Sequence, residues 1–503
     1  MSSASASRSG LRGISQCVQF REPGRQMKGA RSKRQVFKKE VSFLPLAPCR
    51  ETLFLIPLRF ERRAVRSRGV ALAAALAIVV ICMVLLGFGF RTVVFHKSWA
   101  LVEKRSFQAQ LAAESGIDYA KARLTGSARP ESVLSLNGLV RTINERQSFQ
   151  LELNFRYGYI WVRSTGICGG RRHVAEALLG SRPYPESRTA LTVAESRFEL
   201  YASGDTHIRG DIAVPDGRVI SRAMRQLPAA PNPLVEGRIF KAEAANIPGI
   251  TPLILESARR VLLAADTMQA GIAKVPARSD WVLQGQTLKF DRDLELPVWL
   301  RKIEGPGTIL VRGNVAIPQD LAIAEDAWIV ASGDILAGGS LDLGATLIAG
   351  GTLALEGPAE GHGVLLARES LTLSKNVRLG WPSQAGLIKV PEMGRTGINF
   401  IKIEGGSFLG TLFVWDAQPW QMPLIKIESG SQVAGYIFSC GKLELNAPFM
   451  GHIFTHSLQA SEGAQTFDNW LKNIRIDRAA ESLDWAMPPG FGAQVAVLAW
   501  NRR

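Results

Sequence analysis

The spacing of apolar and polar positions divides the chain into stretches of different period. From Gly69 to Phe90 the run GVALAAALAIVVICMVLLGFGF holds 22 residues without a charged or strongly polar side chain. At a helical rise of about 1.5 Å per residue it matches a hydrocarbon layer about 30 Å thick, which predicts a transmembrane helix over 69–92. Beyond it, Val102, Ala109, Ala113, Ile117, Ala120 and Leu124 keep to one helical face. The helix is therefore expected to continue over 93–125 as an amphipathic extension. Gly126 and Ser127, followed by Pro130, supply its stop.

After that stop the period shortens. The segment FQLELNFRYGYIWVRS, Phe149 to Ser164, is rich in the aromatic and β-branched residues that suit a pleated surface. A small β-rich or α+β unit is expected over 126–199, with proline-marked loops at Pro183–Pro185 and Pro228–Pro233.

From about 200 to 465 the chain repeats itself. Arg209-Gly210-Asp211-Ile212-Ala213-Val214-Pro215 is echoed by Arg312-Gly313-Asn314-Val315-Ala316-Ile317-Pro318. The turn-then-strand unit recurs with Asn314, Asp334, Thr352 and Ser370 in its second place, at steps of 20, 18 and 18 residues. Ile401-Lys402-Ile403-Glu404 returns as Ile425-Lys426-Ile427-Glu428, and a glycine two places before an apolar-Phe pair returns at Gly410, Gly435 and Gly451. Short strands with a glycine or Asx at each corner predict stacked coils that bury one aliphatic row. The expected fold is mainly β with a long N-terminal α-helix, the repeat domain being a parallel β-solenoid; a β-sandwich of similar hairpins is the alternative. Residues 466–503 are expected to cap the solenoid, with a helix-like stretch near Asn469–Ile476 and a strand-like end, GAQVAVLAW.

Charge changes the picture at one end only. The net +16 is concentrated in residues 1–68, where 16 Lys/Arg meet four Glu, leaving 44 basic and 40 acidic side chains in the rest. Arg59, Arg62, Arg63, Arg66 and Arg68 crowd the leading flank of the apolar run. That asymmetry places residues 1–68 in the cytoplasm as a basic, disordered tail, and exports the body. Nucleic acid is not an expected partner, and the lipid bilayer is.

The residues around this helix resemble the N-termini of type IV pilin-like proteins, in particular the minor pilins and general-secretion minor pseudopilins of the PilX and GspK kind. Arg66, Ser67, Arg68 and Gly69 followed by Val70 look like a prepilin-peptidase junction. Ala113, Glu114, Ser115, Gly116, Ile117, Asp118, Tyr119 and Ala120 look like the family's helix motif. The resemblance spans about residues 66–124. It implies cleavage between Gly69 and Val70, prepilin peptidase and other pilin-like subunits as partners, and residence in a bacterial inner membrane with the C-terminal domain periplasmic or extracellular. The fifth residue after that junction is Ala74, where major pilins carry glutamate and tip-located pseudopilins do not.

Chemistry finds little purchase. The chain has six histidines and no H-E-x-x-H, Walker A or C-x-x-C motif, so no cofactor, metal or catalytic residue is expected. His452 and His456 are four apart, but Ile453-Phe454-Thr455 between them reads as strand, which separates their side chains by about 13 Å. Arg209-Gly210-Asp211 reads as a repeat corner. Cys168 and Cys440 are the only cysteines of the body, and their pairing is open. Trp381, Trp415 and Trp420 fall in or near proline-containing loops, as partner contacts or as loop anchors. The function expected is a non-enzymatic structural component of a type IV pilus or type II secretion-like apparatus. Alternatives are a membrane-anchored solenoid used as adhesin or envelope scaffold, and a tethered carbohydrate-active enzyme.

Overall fold

The computed structural model describes residues 68–126, 136–182, 189–194, 199–241, 253–268, 273–394, 399–414, 422–478 and 494–502. The basic tail, Trp415 and Trp420 lie outside them.

Helix α1, Arg68–Gly126, is one uninterrupted 59-residue helix. Its extension packs on an antiparallel sheet of β1 (Val140–Asn144), β2 (Gln147–Arg156), β3 (Tyr159–Cys168), β4 (Arg171–Arg182) and the C-terminal strand Gln494–Arg502, in that spatial order. Alternation in β3 is clean: Ile160 and Val162 turn inward, toward Ala113, Ile117, Ala120 and Leu124 of α1.

The repeat region is a parallel solenoid, and the sandwich alternative is excluded by its ladders. Three columns of strands form three faces. The first column begins Asp280–Val282, Lys302–Glu304, Leu321–Ile323; the second Thr287–Phe290, Gly307–Val311, Ala327–Ala331; the third Leu294–Glu295, Val315–Ile317, Ile335–Ala337. Inward residues stack in unbroken rows, such as Leu288, Ile309, Ile329, Leu347 and Leu365 of the second face. All of these but Leu288 are fully buried. Full burial of such a side chain is worth about 1.5–3 kcal/mol relative to exposure.

Corners are fixed by a chain of side-chain bonds from coil to coil. Asp293 Oδ1 accepts the Asn314 N–H at 2.7 Å, Asn314 Oδ1 the Asp334 N–H at 2.8 Å, and Asp334 Oδ1 the Thr352 N–H at 2.7 Å. Asp211 does the same for the Arg238 N–H at 2.9 Å, so Arg209-Gly210-Asp211 is a coil corner. The two echoed segments occupy different corners: one lies between the first and second faces, the other between the second and third. Gly410, Gly435 and Gly451 stack directly, at φ values of 155°, 121° and 134°. Each marks the bend from first to second face, and at Gly410 and Gly451 backbone approaches backbone too closely for a Cβ.

Spatial order departs from chain order. The last coils in sequence, Phe449–Glu462 and Arg475–Asp477, are followed in the stack by Leu191–Val193, His207–Arg209 and Ile212–Val214, and then by Val235–Glu236 and Ile239–Lys241. One coil is therefore split, its first face coming from Arg475–Asp477 and its second from Leu191–Val193. From Lys241 the chain returns to the first coil, and helix α2, Leu253–Thr267, packs across the second face on this route. Ile254, Ala258, Leu262 and Ala265 of α2 cover Leu310, Val330 and Ile348.

The stretch near Asn469–Ile476, expected to be helix-like, is instead two short strands, Trp470–Lys472 and Arg475–Asp477. Asn469 and Asn473 form the left-handed corners, at φ 53° and 50°. Residues 466–503 also do not stay together: the two short strands join the solenoid and Gln494–Arg502 joins β4. Cys168 and Cys440 are not joined by a disulfide.

Candidate functional site

The feature that distinguishes this molecule is the change of environment along α1. From Ala71 to Leu101 every residue is exposed, including Leu76, Ile81, Leu85, Phe88, Phe95 and Trp99. Apolar surface on every side of a helix calls for a surrounding apolar medium or other helices. From Ala109 onward one side is sealed: Ala109, Ala112, Ala113, Gly116, Ile117 and Ala120 are buried.

This buried stripe takes in Ala113, Gly116, Ile117 and Ala120 of the 113–120 segment, and small side chains explain it. A Cβ on Gly166 of β3 would stand 2.0 Å from the Ala109 carbonyl oxygen, so helix backbone rests directly on strand backbone. A Cβ on Gly116 would stand 2.1 Å from Ser164 Oγ. Ala113 is buried in the same stripe. Ser115 faces out and bonds back to the Leu111 carbonyl at 2.8 Å, while Glu114 accepts from Gln110 Nε2 at 3.0 Å. Tyr119 lies against Phe149, with the Arg141 guanidinium 4.6 Å over its ring. Arg123 Nε donates to its hydroxyl at 3.0 Å and holds the phenol below its ordinary pKa. Gly69 and Val70 fall in the first turn of α1.

The sheet is joined to the solenoid through the β2–β3 hairpin tip. Arg156 bridges Glu325 at 3.1 Å and Asp326 at 3.3 Å, and its guanidinium lies 4.1 Å over the Trp161 ring. Burial pushes the Asp326 carboxyl up against the opposing pull of Arg156. The Tyr157 carbonyl accepts from Gln384 Nε2, and its ring meets His362 edge-on at 5.6 Å. Tyr159, 1% exposed, has its ring centroid 6.1 Å from that of Trp381. Trp381 is thus half-buried with an intrachain neighbour. The sequence reading missed this tip, although Tyr-Gly-Tyr between two strand-like runs marks a hairpin.

His452 and His456 lie on one strand, as the sequence implies. His452 is 3% exposed; its Nδ1–H donates to the Thr189 carbonyl, and burial lowers its pKa to about 4. Among the described residues no cluster of metal-ligating side chains occurs. An open groove at a solenoid corner is lined by Glu356, Lys375, Lys402, Glu404 and Glu428. Lys402 pairs with Glu404 and Lys426 with Glu428.

No protein-family model matches the chain, and no curated protein matches it. Among solved structures, the crystal structure of the competence-associated pilin ComZ from Thermus thermophilus is 11% identical over 80% of this chain and 98% of its own. The TM-score is 0.21, too low to bear on fold or function. The class defined here is thus architectural: a mainly-β chain with a parallel solenoid and one N-terminal helix long and apolar enough to cross a membrane.

Proposed function

We propose that this chain is a membrane-tethered, non-enzymatic structural subunit of a pilin-like assembly. Its α1 lies in the bilayer among other pilin-like helices, and its sheet and solenoid project from the membrane. The observation that carries this reading is the two-part helix: uncovered from Ala71 to Leu101, and apolar on every side as far as Phe90, then sealed to its own sheet from Ala109 onward. Such a helix presents a free packing surface at one end and a rigid mount at the other. Close packing of small residues and shape, rather than charge, would govern association in the bilayer. The Lys402–Glu404 pair lines the solenoid groove, which fits a solvated face better than a catalytic one.

Cleavage between Gly69 and Val70 belongs to the same proposal. The test is intact-mass analysis of the protein from its native membrane, combined with co-purification after cross-linking in cells. A mature chain beginning at Val70, recovered with pilin-like subunits, is the expected result. A chain that keeps residues 1–69 beside an active prepilin peptidase, and that recovers no such subunit, leaves the free-standing envelope scaffold as the better reading.

A further inference from the structure

The two ends of the α1-bearing sheet treat their arginines differently. At one end the β2–β3 tip holds Arg156 between Glu325 and Asp326. At the other end two turns lie side by side: residues 144–147 join β1 to β2 and residues 168–171 join β3 to β4, with Gln147 opposite Cys168. Helix α1 passes this second end as it comes from its apolar run. Cys168 Sγ lies 3.4 Å from Gln108 Oε1, and a Cβ on Gly169 would stand 3.0 Å from Arg105 Cδ. The turns carry Arg146, Arg171 and Arg172, and α1 brings Arg91, Lys97, Lys104 and Arg105 to the same end. All seven are exposed, and among the described residues none is in an ion pair. Only Glu103 and Glu145 oppose them in these stretches, so this collar has a larger basic excess than the 44 against 40 of the whole chain after residue 68. Basic residues this close to a membrane run on its exported side also oppose export. A local rule broken in this way points to a compensating contact.

We propose that this collar docks on anionic phospholipid headgroups of the leaflet from which α1 emerges, and so holds the sheet down on the bilayer; the proposal rests on the reading that α1 crosses a membrane. Along the helix axis Lys97 stands about 10 Å beyond Phe90 and Arg105 about 22 Å beyond it. The headgroup layer takes up about 5–8 Å of that height, so Arg91 and Lys97 meet phosphates from the helix itself. Phe95 and Trp99, exposed and stacked with ring centroids 6.3 Å apart, supply the aromatic band that suits the same level. The turns stand higher. A helix tilt of about 20–40° toward the sheet side lowers them by several Å, and the long arginine stems cover the remaining gap. Their planar forks match a phosphate bidentately. Because screening ends the attraction within about 8 Å, Arg146, Arg171 and Arg172 reach their partners only with that edge of the sheet down, and they thereby select the tilt.

Glu145 is exposed at the β1–β2 turn, beside Arg146. The full-length chain carrying Glu145→benzoylphenylalanine, a photo-reactive residue, is reconstituted in vesicles of phosphatidylcholine, alone or mixed two to one with phosphatidylglycerol. Irradiation is expected to give phosphatidylglycerol adducts at position 145, with about tenfold fewer lipid adducts in the neutral vesicles. Raising the salt to about 1 M is expected to remove most of that difference. Arg146→Gln, Arg171→Gln and Arg172→Gln together are expected to cut the adducts in anionic vesicles about tenfold or more, with an unchanged melting midpoint. If the triple variant fails to fold, the lipid and salt comparisons still decide. Equal adducts in neutral and anionic vesicles, or none in either, from a chain that survives a carbonate wash overturn the collar and leave the pilin-like reading standing; the second of these makes an acidic protein face the better occupant. A chain that washes off the vesicles overturns the membrane reading, and the collar with it.

Discussion

Two residues show how single atoms set the architecture. Gly166 lets α1 rest on β3, and Gly166→Ala would drive a Cβ into the Ala109 carbonyl, an atom that cannot swing away as a side chain could. Overpacking of this kind costs about 1–3 kcal/mol, so a lower unfolding midpoint in detergent is expected. An unchanged midpoint would show that helix and strand are further apart than described. His452 makes a pH prediction with a definite sign. Its folded pKa, about 4, lies below the ordinary 6.5, so the unfolded chain takes up the proton first. Stability from the neutral ring is full above about pH 6.5 and is lost as pH falls toward about 4, by about 3 kcal/mol. Denaturant titrations at about pH 7 and about pH 4.5 should show most of that loss, about 2 kcal/mol, and His452→Gln should flatten it. An equal slope in both proteins would assign the acid sensitivity to other groups.

Elements differ in how openly the sequence announces them. Long α1 was legible from its 22-residue apolar run, and the solenoid from corner echoes, because every coil needs the same turn chemistry and the same inward aliphatic. Helix α2 was not read, although Ile254, Ala258, Leu262 and Ala265 hold helical spacing; it sits inside a repeat region whose neighbours alternate by two. The stretch at Asn469–Ile476 was misread for a physical reason. Strands of three residues separated by left-handed asparagines are too short to establish a period. The hairpin tip was illegible as a joint, since its meaning depends on Glu325, Asp326 and Gln384, far away in sequence. Because α2 is held by its apolar stripe, Leu262→Ala, at a fully buried position, should destabilise the chain by about 2–5 kcal/mol. Thermal melts followed by circular dichroism measure it, and a loss below about 0.5 kcal/mol would mean that α2 contributes little to the solenoid.

At the scale of the whole molecule the decisive expectation is orientation. With 16 basic residues ahead of Gly69 and an apolar run behind them, the C-terminus is expected on the non-cytoplasmic side. Fusions of alkaline phosphatase and of a fluorescent protein after Arg503 should give an active phosphatase and a dark fluorophore in a bacterial inner membrane. The opposite pair of signals would reverse the topology and remove the pilin-like proposal with it.

The split coil has a consequence for the order of events. As the chain is made from its N-terminus, Leu191–Val214 is delivered early, yet the shelf it sits on is the strand pair around Ile453 and Ile476, the last of the solenoid's strands to arrive. Those first segments must wait, unseated, while some 230 residues pass. Closure of such distant contacts is slow, and exposed edges in the meantime invite wrong pairing. The solenoid is thus finished as a keystone finishes an arch, by a late piece locking an early one, and a chain cut short before Arg475 would lack the seat its own beginning requires.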